Sequence, residues 1–91
     1  MRVTVEFYGP AREAAGAARV GVDCDMPATA QTLVARLAAD RGGRLAQLLL
    51  AGEQLAPSVL IAVNDVQVVG PVPLKDGDEI TVMPPVSGGS H

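Results

Sequence analysis

The sequence predicts a single α+β domain, a roll in which one main helix packs on a mixed sheet of about five strands. Three observations lead to this fold class. The chain has 91 residues, the length of one domain. Apolar residues alternate near both ends, as in half-buried strands, and an apolar stripe with helical spacing lies between these segments. We expect the first and last strands to lie side by side in the centre of the sheet.

The elements follow from local patterns. In chain order we expect a strand at 2–8, a helical turn at 11–16, a strand at 18–24, helices at 30–41 and 44–50, a loop at 51–57, and strands at 58–63, 66–69 and 79–83. In the first strand Val3, Val5 and Phe7 fall on one face, while Thr4, Glu6 and Tyr8 fall on the other. This alternation predicts a strand with one buried face.

The main helix has a start signal, a stop signal and one apolar face. Thr29 is a suitable N-cap, and the pair Gly42-Gly43 favours a C-terminal stop. The apolar stripe consists of Leu33, Val34, Leu37 and Ala38. Such a stripe packs a helix against a sheet through one face.

The second half of the chain consists of strands separated by tight turns. In the segment 58–63 every residue after Ser58 is apolar, which predicts a central strand covered on both faces. Asn64 and Asp65 tolerate positive φ and predict a tight turn. Gly77, within Lys-Asp-Gly-Asp, predicts another turn before the alternating final strand at 79–83.

Composition excludes several classes of function. The net charge of −3 argues against a nucleic-acid partner, and one Phe, one Tyr and no Trp offer few stacking platforms. The apolar runs are too short to span a membrane. A single cysteine forms no internal disulfide, which favours a cytoplasmic location.

Catalytic groups are equally scarce. The one histidine is the last residue, and no cysteine or histidine spacing predicts a metal site. No glycine-rich phosphate loop follows a strand and opens a helix. We therefore expect a protein that is not an enzyme, binds no metal, and serves the chemistry of a partner.

The C-terminal segment has the most informative pattern. Pro84 and Pro85 end the last strand, since neither can donate to a sheet hydrogen bond, and divide the chain into a domain (1–85) and a tail (86–91). The four residues after Pro85, up to Gly89, span about 13 Å when extended. Two glycines make the end of this tail narrow enough for a channel. The alternative is a frayed terminus or an expression remnant.

Four segments together resemble a known family. They are residues 7–13 (Phe-Tyr-Gly-Pro-Ala-Arg-Glu), 61–64 (Ile-Ala-Val-Asn), 74–80 (Leu-Lys-Asp-Gly-Asp-Glu-Ile) and 84–89 (Pro-Pro-Val-Ser-Gly-Gly). In this order and spacing they resemble the ubiquitin-like sulfur carriers, namely the small subunit of molybdopterin synthase and the thiamine-pathway carrier. The resemblance implies a β-grasp fold, in agreement with the strand order above.

The resemblance also implies a chemistry for the tail. An E1-like adenylyltransferase would use ATP to adenylate the carboxylate of Gly89, and a sulfur donor would convert it to a thiocarboxylate. A sulfur-accepting synthase would then use that sulfur. The segment entering the partner active sites would be Pro85, Val86, Ser87, Gly88 and Gly89. The carrier itself would bind no cofactor, because ATP and the sulfur donor belong to its partners.

The sequence departs from this family at its end, where Ser90 and His91 follow Gly89. As written, Gly89 has no free carboxylate. If the extension is native, a protease, plausibly a metalloprotease, must first cut the Gly89–Ser90 bond. If it is a cloning remnant, the native chain ends at Gly89.

Docking candidates follow from position and charge. Residues 1–45 have a net charge of +1 and residues 46–91 a net charge of −4. The acidic half suggests docking on a basic groove through Asp78, with a simple solvated turn as the alternative. The remaining candidates are Phe7, Arg12 and Met83, with a core position as the alternative for Phe7 and a surface pair with Glu13 as the alternative for Arg12.

Three classes of function remain open from the sequence. The first is a sulfur carrier for molybdopterin, or for thiamine, cysteine or a specialised metabolite. The second is a ubiquitin-like modifier that forms isopeptide bonds with lysines. The third is a binding module that is never activated.

Overall fold

The computed structural model describes residues 1–24 and 28–84. The strands are β1 (Arg2–Phe7), β2 (Arg19–Asp23), β3 (Leu50–Ala51), β4 (Gln54–Leu55), β5 (Leu60–Val63), β6 (Val66–Val68) and β7 (Glu79–Met83). The helices are α1 (Pro10–Ala15), α2 (Ala30–Arg41) and α3 (Gly43–Leu49). The predicted element order is confirmed, with one addition in the middle of the chain.

Five strands form a mixed sheet in the order β2-β1-β7-β5-β6. The first and last strands are neighbours and run parallel, with Val5 opposite Ile80 and Phe7 opposite Val82. The other neighbouring pairs in this sheet are antiparallel. This is a ubiquitin-like β-grasp fold, and it confirms the predicted α+β roll.

The core lies between one face of the sheet and the helices. The core residues from the strands are Val3, Val5, Phe7, Ile61, Val63, Ile80 and Val82, and those from the helices are Ala11, Ala15, Ala30, Leu33, Val34, Ala38, Leu45 and Leu49. The strand residues alternate, as pleating requires. The opposite face of the sheet carries the intervening side chains, and we call it the open face.

Helix α2 begins and ends at the predicted residues, because its capping chemistry is local. The Thr29 hydroxyl accepts a hydrogen bond from the Thr32 backbone N–H, and the Thr32 hydroxyl accepts one from the Thr29 N–H. This reciprocal box satisfies two donors that the first turn would otherwise leave unpaired. Of the predicted stripe, Leu33, Val34 and Ala38 are buried and Leu37 is half-buried.

The turn from β1 into α1 explains the Gly-Pro pair of the first segment. Gly9 has φ of 58°, which is unfavourable for residues with a Cβ, and Pro10 occupies the first turn of the helix. Gly16 ends the helix in the left-handed conformation, and its N–H donates to the carbonyls of Arg12 and Glu13. The predicted helical turn is therefore confirmed, beginning one residue earlier.

Two local predictions are wrong. Residues 51–57 do not form a plain loop, because β3 and β4 pair as a small antiparallel hairpin around Gly52 and Glu53. The prediction of a strand covered on both faces is also wrong at Leu60, which lies on the open face and is 45% exposed, although Ala62 on the same face is 7% exposed. The central strand is instead β7.

Candidate functional site

The predicted carrier tail lies outside the described residues. This applies to Pro85, Val86, Ser87, Gly88, Gly89 and Ser90, and with them to the proposed Gly89–Ser90 cleavage point. The structure does describe the point from which the tail departs. Strand β7 ends at Met83, and Pro84 follows it. The described part of the candidate site is therefore the surface around the Met83 end of β7, the central strand.

An apolar patch lies on the open face beside this end of β7, and it consists of Tyr8, Leu60 and Met83. Leu60 and Met83 are directly paired across β5 and β7. The backbone N–H of Tyr8 donates to the Val82 carbonyl at 3.3 Å, so Tyr8 continues the pairing of β1 with β7. Tyr8 is 50% exposed, and Met83 is half-buried. Apolar side chains grouped on an exposed sheet face are typical of a docking surface.

The polar end of Tyr8 is held by a neighbour on the same face. Its hydroxyl donates to Glu6 Oε1 at 3.2 Å. The negative charge of Glu6, and this hydrogen bond, raise the pKa of Tyr8 above its ordinary value. The side chain therefore stays neutral, with a fixed hydroxyl and an exposed ring. An aromatic with an apolar body and a satisfied polar tip is well suited to an interface.

The docking prediction fails for Phe7. Its side chain is 1% exposed and lies in the core, so it cannot touch a partner directly. The alternation that predicted a buried Phe7 also placed Tyr8 on the other face, and Tyr8 is the exposed aromatic. The sequence predicted the faces of Phe7 and Tyr8 correctly, but the docking role was assigned to Phe7 and not to Tyr8. Met83 lies on the open face of β7, whereas Ile80 and Val82 lie on its buried face, as predicted.

The other end of β7 is polar and tightly bonded. Both carboxylate oxygens of Asp78 are engaged: Oδ1 accepts from Asn64 Nδ2 at 3.0 Å, and Oδ2 accepts from the Lys75 backbone N–H at 2.8 Å. The Asn64 side-chain oxygen accepts from the Glu79 N–H at 3.0 Å. We call this set the Asn64–Asp78 clamp. It joins two of the segments that carry the family resemblance into one structural unit.

The turn that precedes β7 is also bonded to the first strand. The Gly77 N–H donates to the Arg2 carbonyl at 2.8 Å, and the Arg2 N–H donates to Asp76 Oδ1 at 2.7 Å. The Thr4 N–H donates to the Asp78 carbonyl at 3.0 Å. Gly77 has φ of 89°, as its position in the turn requires. The start of β7 is thus held by both neighbouring strands.

These contacts give Asp78 a structural role. The hydrogen bond from the Lys75 backbone lowers the pKa of Asp78 most, and the bond from Asn64 adds to it. Each oxygen accepts one internal hydrogen bond, and because a carboxylate has about four acceptor positions, a partner could still donate to Asp78. The docking role of Asp78 remains a prediction.

Arg12 is exposed on α1. Its neighbour Glu13 does not pair with it, since adjacent helical residues point in different directions. No ion pair involves Arg12 within residues 1–24 and 28–84. Its guanidinium therefore stays available to a partner, and this docking role remains a prediction.

Two other features, a metal site and a membrane-spanning helix, are absent from the described residues. No cluster of side chains suited to a metal ion occurs among the described residues. Within the same part of the chain, no helix is long and apolar enough to cross a membrane.

Comparison with known proteins identifies the family. The ThiS family model matches residues 5–89, nearly the whole chain and all four resembling segments. The chain belongs to the ThiS family. It is 38% identical over 87 residues to the molybdopterin synthase sulfur carrier subunit of Escherichia coli, covering 96% of this chain and 99% of that protein.

Solved structures agree with the ThiS family assignment. SAMP1 from Haloferax volcanii has a TM-score of 0.81 at 24% identity, covering 98% of this chain and all of that one, and supports the fold. The structure of the Amycolatopsis orientalis BexX/CysO complex contains a chain with a TM-score of 0.66 at 28% identity, covering 96% of this chain and 99% of that one.

Proposed function

We propose that this protein is a sulfur carrier whose Gly89 carboxylate is adenylated and then converted to a thiocarboxylate. The observation that carries the proposal is the ThiS family match, which continues through the Pro-Pro-Val-Ser-Gly-Gly segment to Gly89. This segment follows directly after the central strand β7. The sheet would therefore hold the start of the tail rigidly, and the two glycines would make its reacting end narrow. The carrier supplies one reacting group, and its partners supply the catalytic groups.

The chemistry follows from the weakness of a carboxylate as an electrophile. Adenylation by ATP gives an acyl-adenylate, in which AMP is a good leaving group. Sulfur from a donor attacks the carbonyl carbon, AMP leaves, and the thiocarboxylate forms. Its sulfur is then a nucleophile that an accepting synthase can use. We expect the carrier to take no catalytic part beyond presenting this group.

The apolar patch supports docking next to the reaction. Tyr8, Leu60 and Met83 surround the end of β7, the point from which the tail departs. A partner that covers this patch would therefore have its active-site entrance close to the tail. Exposed Arg12 on α1 would add a charged contact at the edge of such an interface. The tail would then be guided into a channel too narrow for side chains.

Molybdopterin synthesis is the pathway that the similarity to the Escherichia coli subunit favours. That subunit is named as the sulfur carrier of molybdopterin synthase, and it is covered almost completely by the matched region. The match to a chain of the BexX/CysO complex keeps a different partner as the alternative. For either partner, Ser90 and His91 must be absent from the activated form, because an amide cannot be adenylated. Proteolysis at Gly89–Ser90 would remove them.

The test is reconstitution with an E1-like adenylyltransferase, ATP and a sulfide source, using the chain shortened to end at Gly89. We expect intact-mass spectrometry to show one oxygen replaced by one sulfur at the C-terminus. The full chain ending at His91 is the matched control and should stay unmodified. Addition of a metalloprotease from the same host should make it competent.

The proposal fails if the shortened chain forms neither adenylate nor thiocarboxylate with any adenylyltransferase of its host. A binding module without activation would then be favoured. If the thiocarboxylate forms, the large subunit of molybdopterin synthase should convert precursor to molybdopterin with it. Activity only with another synthase would instead move the carrier to that pathway.

A further inference from the structure

The two edges of the five-stranded sheet differ in the side chains that they carry. At the first edge, β2 carries Arg19 and Asp23, which are exposed. Arg19 forms an ion pair with Glu79, and Asp23 forms one with Arg2. At the other edge, residues 66–74, which begin with β6, include no charged residue. Charged side chains on an edge strand hinder its pairing with another chain, and β6 lacks this protection.

The turn between β5 and β6 determines which backbone groups of β6 face outward. Asn64 and Asp65 have φ of 51° and 69°, as in a two-residue type I′ turn. The residues that flank such a turn, here Val63 and Val66, form a hydrogen-bonded pair, and the two kinds of pair then alternate along the hairpin. Gln67 is therefore in a non-hydrogen-bonded pair, and its N–H and C=O point away from β5.

Gln67 lies at the centre of a short free edge. In the part of the chain that the structure describes, no hydrogen bond joins Gln67 to a residue outside the sheet ladder. Beyond β6 the chain turns away to the start of α2. The Gly70 carbonyl accepts from Gln31 Nε2 at 2.6 Å, and the Val72 carbonyl accepts from the Ala30 N–H at 3.0 Å. An added strand would therefore meet open backbone groups at Gln67 but not beyond this turn.

Apolar surface is also uncovered at this edge. Val66 and Val68 are paired with Val63 and Ile61, so their side chains lie on the core face of the sheet. Val68 is half-buried, whereas Val66 is 65% exposed, so the helices do not cover it. An extended segment placed beside β6 would cover Val66 and satisfy the backbone of Gln67 together.

A second copy of β6 fits this edge because the strand is self-complementary. Antiparallel pairing about a twofold axis at Gln67 places the two Gln67 residues opposite each other, as a hydrogen-bonded pair. Each Val66 then lies opposite Val68 of the other copy, so apolar surface covers apolar surface. Asp65 lies two residues from the axis, and the two aspartates do not face each other. The pairing therefore opposes no like charges along β6.

We propose that β6 pairs with β6 of a second copy to form a weak, reversible homodimer in which the two five-stranded sheets become continuous. The twofold axis is perpendicular to the sheet, so both open faces, each with its apolar patch, lie on the same side. Contact through a three-residue strand is far smaller than the about 1,200 Å² of a stable interface, so association depends on concentration. The pairing uses no residue of the apolar patch and does not depend on the proposed function.

Sedimentation equilibrium of the full chain tests the association. Over about 10 μM to about 1 mM, the range suited to a weak complex, the average mass should rise from 9.3 kDa toward twice that value. Gln67→Lys should raise the dissociation constant roughly tenfold or more, because two like charges would lie opposite each other at the axis. The matched control, Gln47→Lys, adds the same charge at an exposed position on α3. It should change the constant by less than about twofold.

Disulfide formation tests the register. In a chain carrying Cys24→Ser, Gln67→Cys should oxidise in air to a covalent dimer. The Cα atoms of a hydrogen-bonded antiparallel pair are about 5.5 Å apart, within the range of about 4.4–6.8 Å that a disulfide bridges. Gln47→Cys in the same background is the matched control and should cross-link several times more slowly. Circular dichroism should show the parent fold in each variant, and the lysine pair tests the edge without altering Cys24.

Three results would overturn the proposal. The first is a mass that stays at 9.3 kDa up to about 1 mM. The second is a dimer that Gln67→Lys weakens no more than Gln47→Lys does, which would place the contact elsewhere. The third is equally fast cross-linking through cysteine at either position. A monomer whose Gln67 N–H becomes protected from hydrogen exchange only with the adenylyltransferase present would instead assign the edge to a strand of that partner.

Discussion

The two ends of the central strand differ in chemistry. At the Glu79 end, the Asn64–Asp78 clamp and two backbone bonds to β1 fix the strand through polar contacts. At the Met83 end, Tyr8, Leu60 and Met83 lie on an exposed sheet face. Polar bonds are satisfied internally at the first end, and apolar surface is left uncovered at the second. The difference indicates that one end anchors the strand and the other presents it to a partner.

Removing a buried side chain from β7 should have the largest effect on the free energy of unfolding, since both ends of the strand depend on its packing in the core. Ile80 is fully buried between β1 and β5. Ile80→Ala should lower the free energy of unfolding by about 2–5 kcal/mol, through lost transfer energy and a residual cavity. Ile80→Val should cost about 0.5–1.5 kcal/mol. Urea denaturation followed by circular dichroism measures both, and equal losses would contradict the cavity argument.

The presenting end should matter for partners and little for stability. Tyr8→Ala or Leu60→Ala should weaken binding to the adenylyltransferase by about 1–2 kcal/mol each, with small changes in Tm. Val69→Ala is the matched control, because Val69 is 93% exposed and lies outside the apolar patch. Isothermal titration calorimetry provides the affinities. Unchanged affinity in both patch variants would remove the patch from the interface.

The anchoring end should show the reverse behaviour. Asp78→Asn should reduce stability by about 1 kcal/mol, because one neutral amide cannot replace two carboxylate acceptors. Partner affinity should stay close to that of the parent chain. A double-mutant cycle with Asn64→Ala measures the coupling across the clamp. A large loss of affinity without loss of stability would instead assign Asp78 to docking.

The smallest expected effect concerns acid stability. The pKa of Asp78 is lower in the folded chain than in the unfolded one, so its contribution is fully present at neutral pH. It should be lost as the pH falls below about 4, where the unfolded carboxylate takes up a proton first. Asp78→Asn should therefore lose less stability than the parent between neutral and acidic pH. Identical pH profiles would contradict this linkage.

Much of the fold followed from local signals in the sequence. The capping box at Thr29 and the stripe of α2 are set by neighbours along the chain, so the helix bounds were predicted correctly. The alternation in β1 and β7 likewise predicted which face is buried. The hairpin of β3 and β4 was missed because two-residue strands leave no readable period.

The site was less predictable, because it depends on contacts distant in sequence. The uninterrupted apolar run at 59–63 cannot reveal that Leu60 lies on the open face. The turn containing Asp78 was predicted, but its bond to Asn64 joins residues fourteen positions apart. Tyr8 was overlooked in favour of Phe7, although the same alternation placed it outward. Attention to the exposed aromatic of that pair would have found it.

The parallel pairing of β1 with β7 has a consequence for handling this protein. Because these strands run in the same direction, Met1 and the Met83 end of β7 lie at opposite ends of the sheet. Attachments at Met1, such as a label or a surface tether, are then remote from the apolar patch. A pull between Met1 and Met83 would load all the β1–β7 hydrogen bonds in shear at the same time. The domain can therefore be held at one end of the sheet while the patch at the other end stays open.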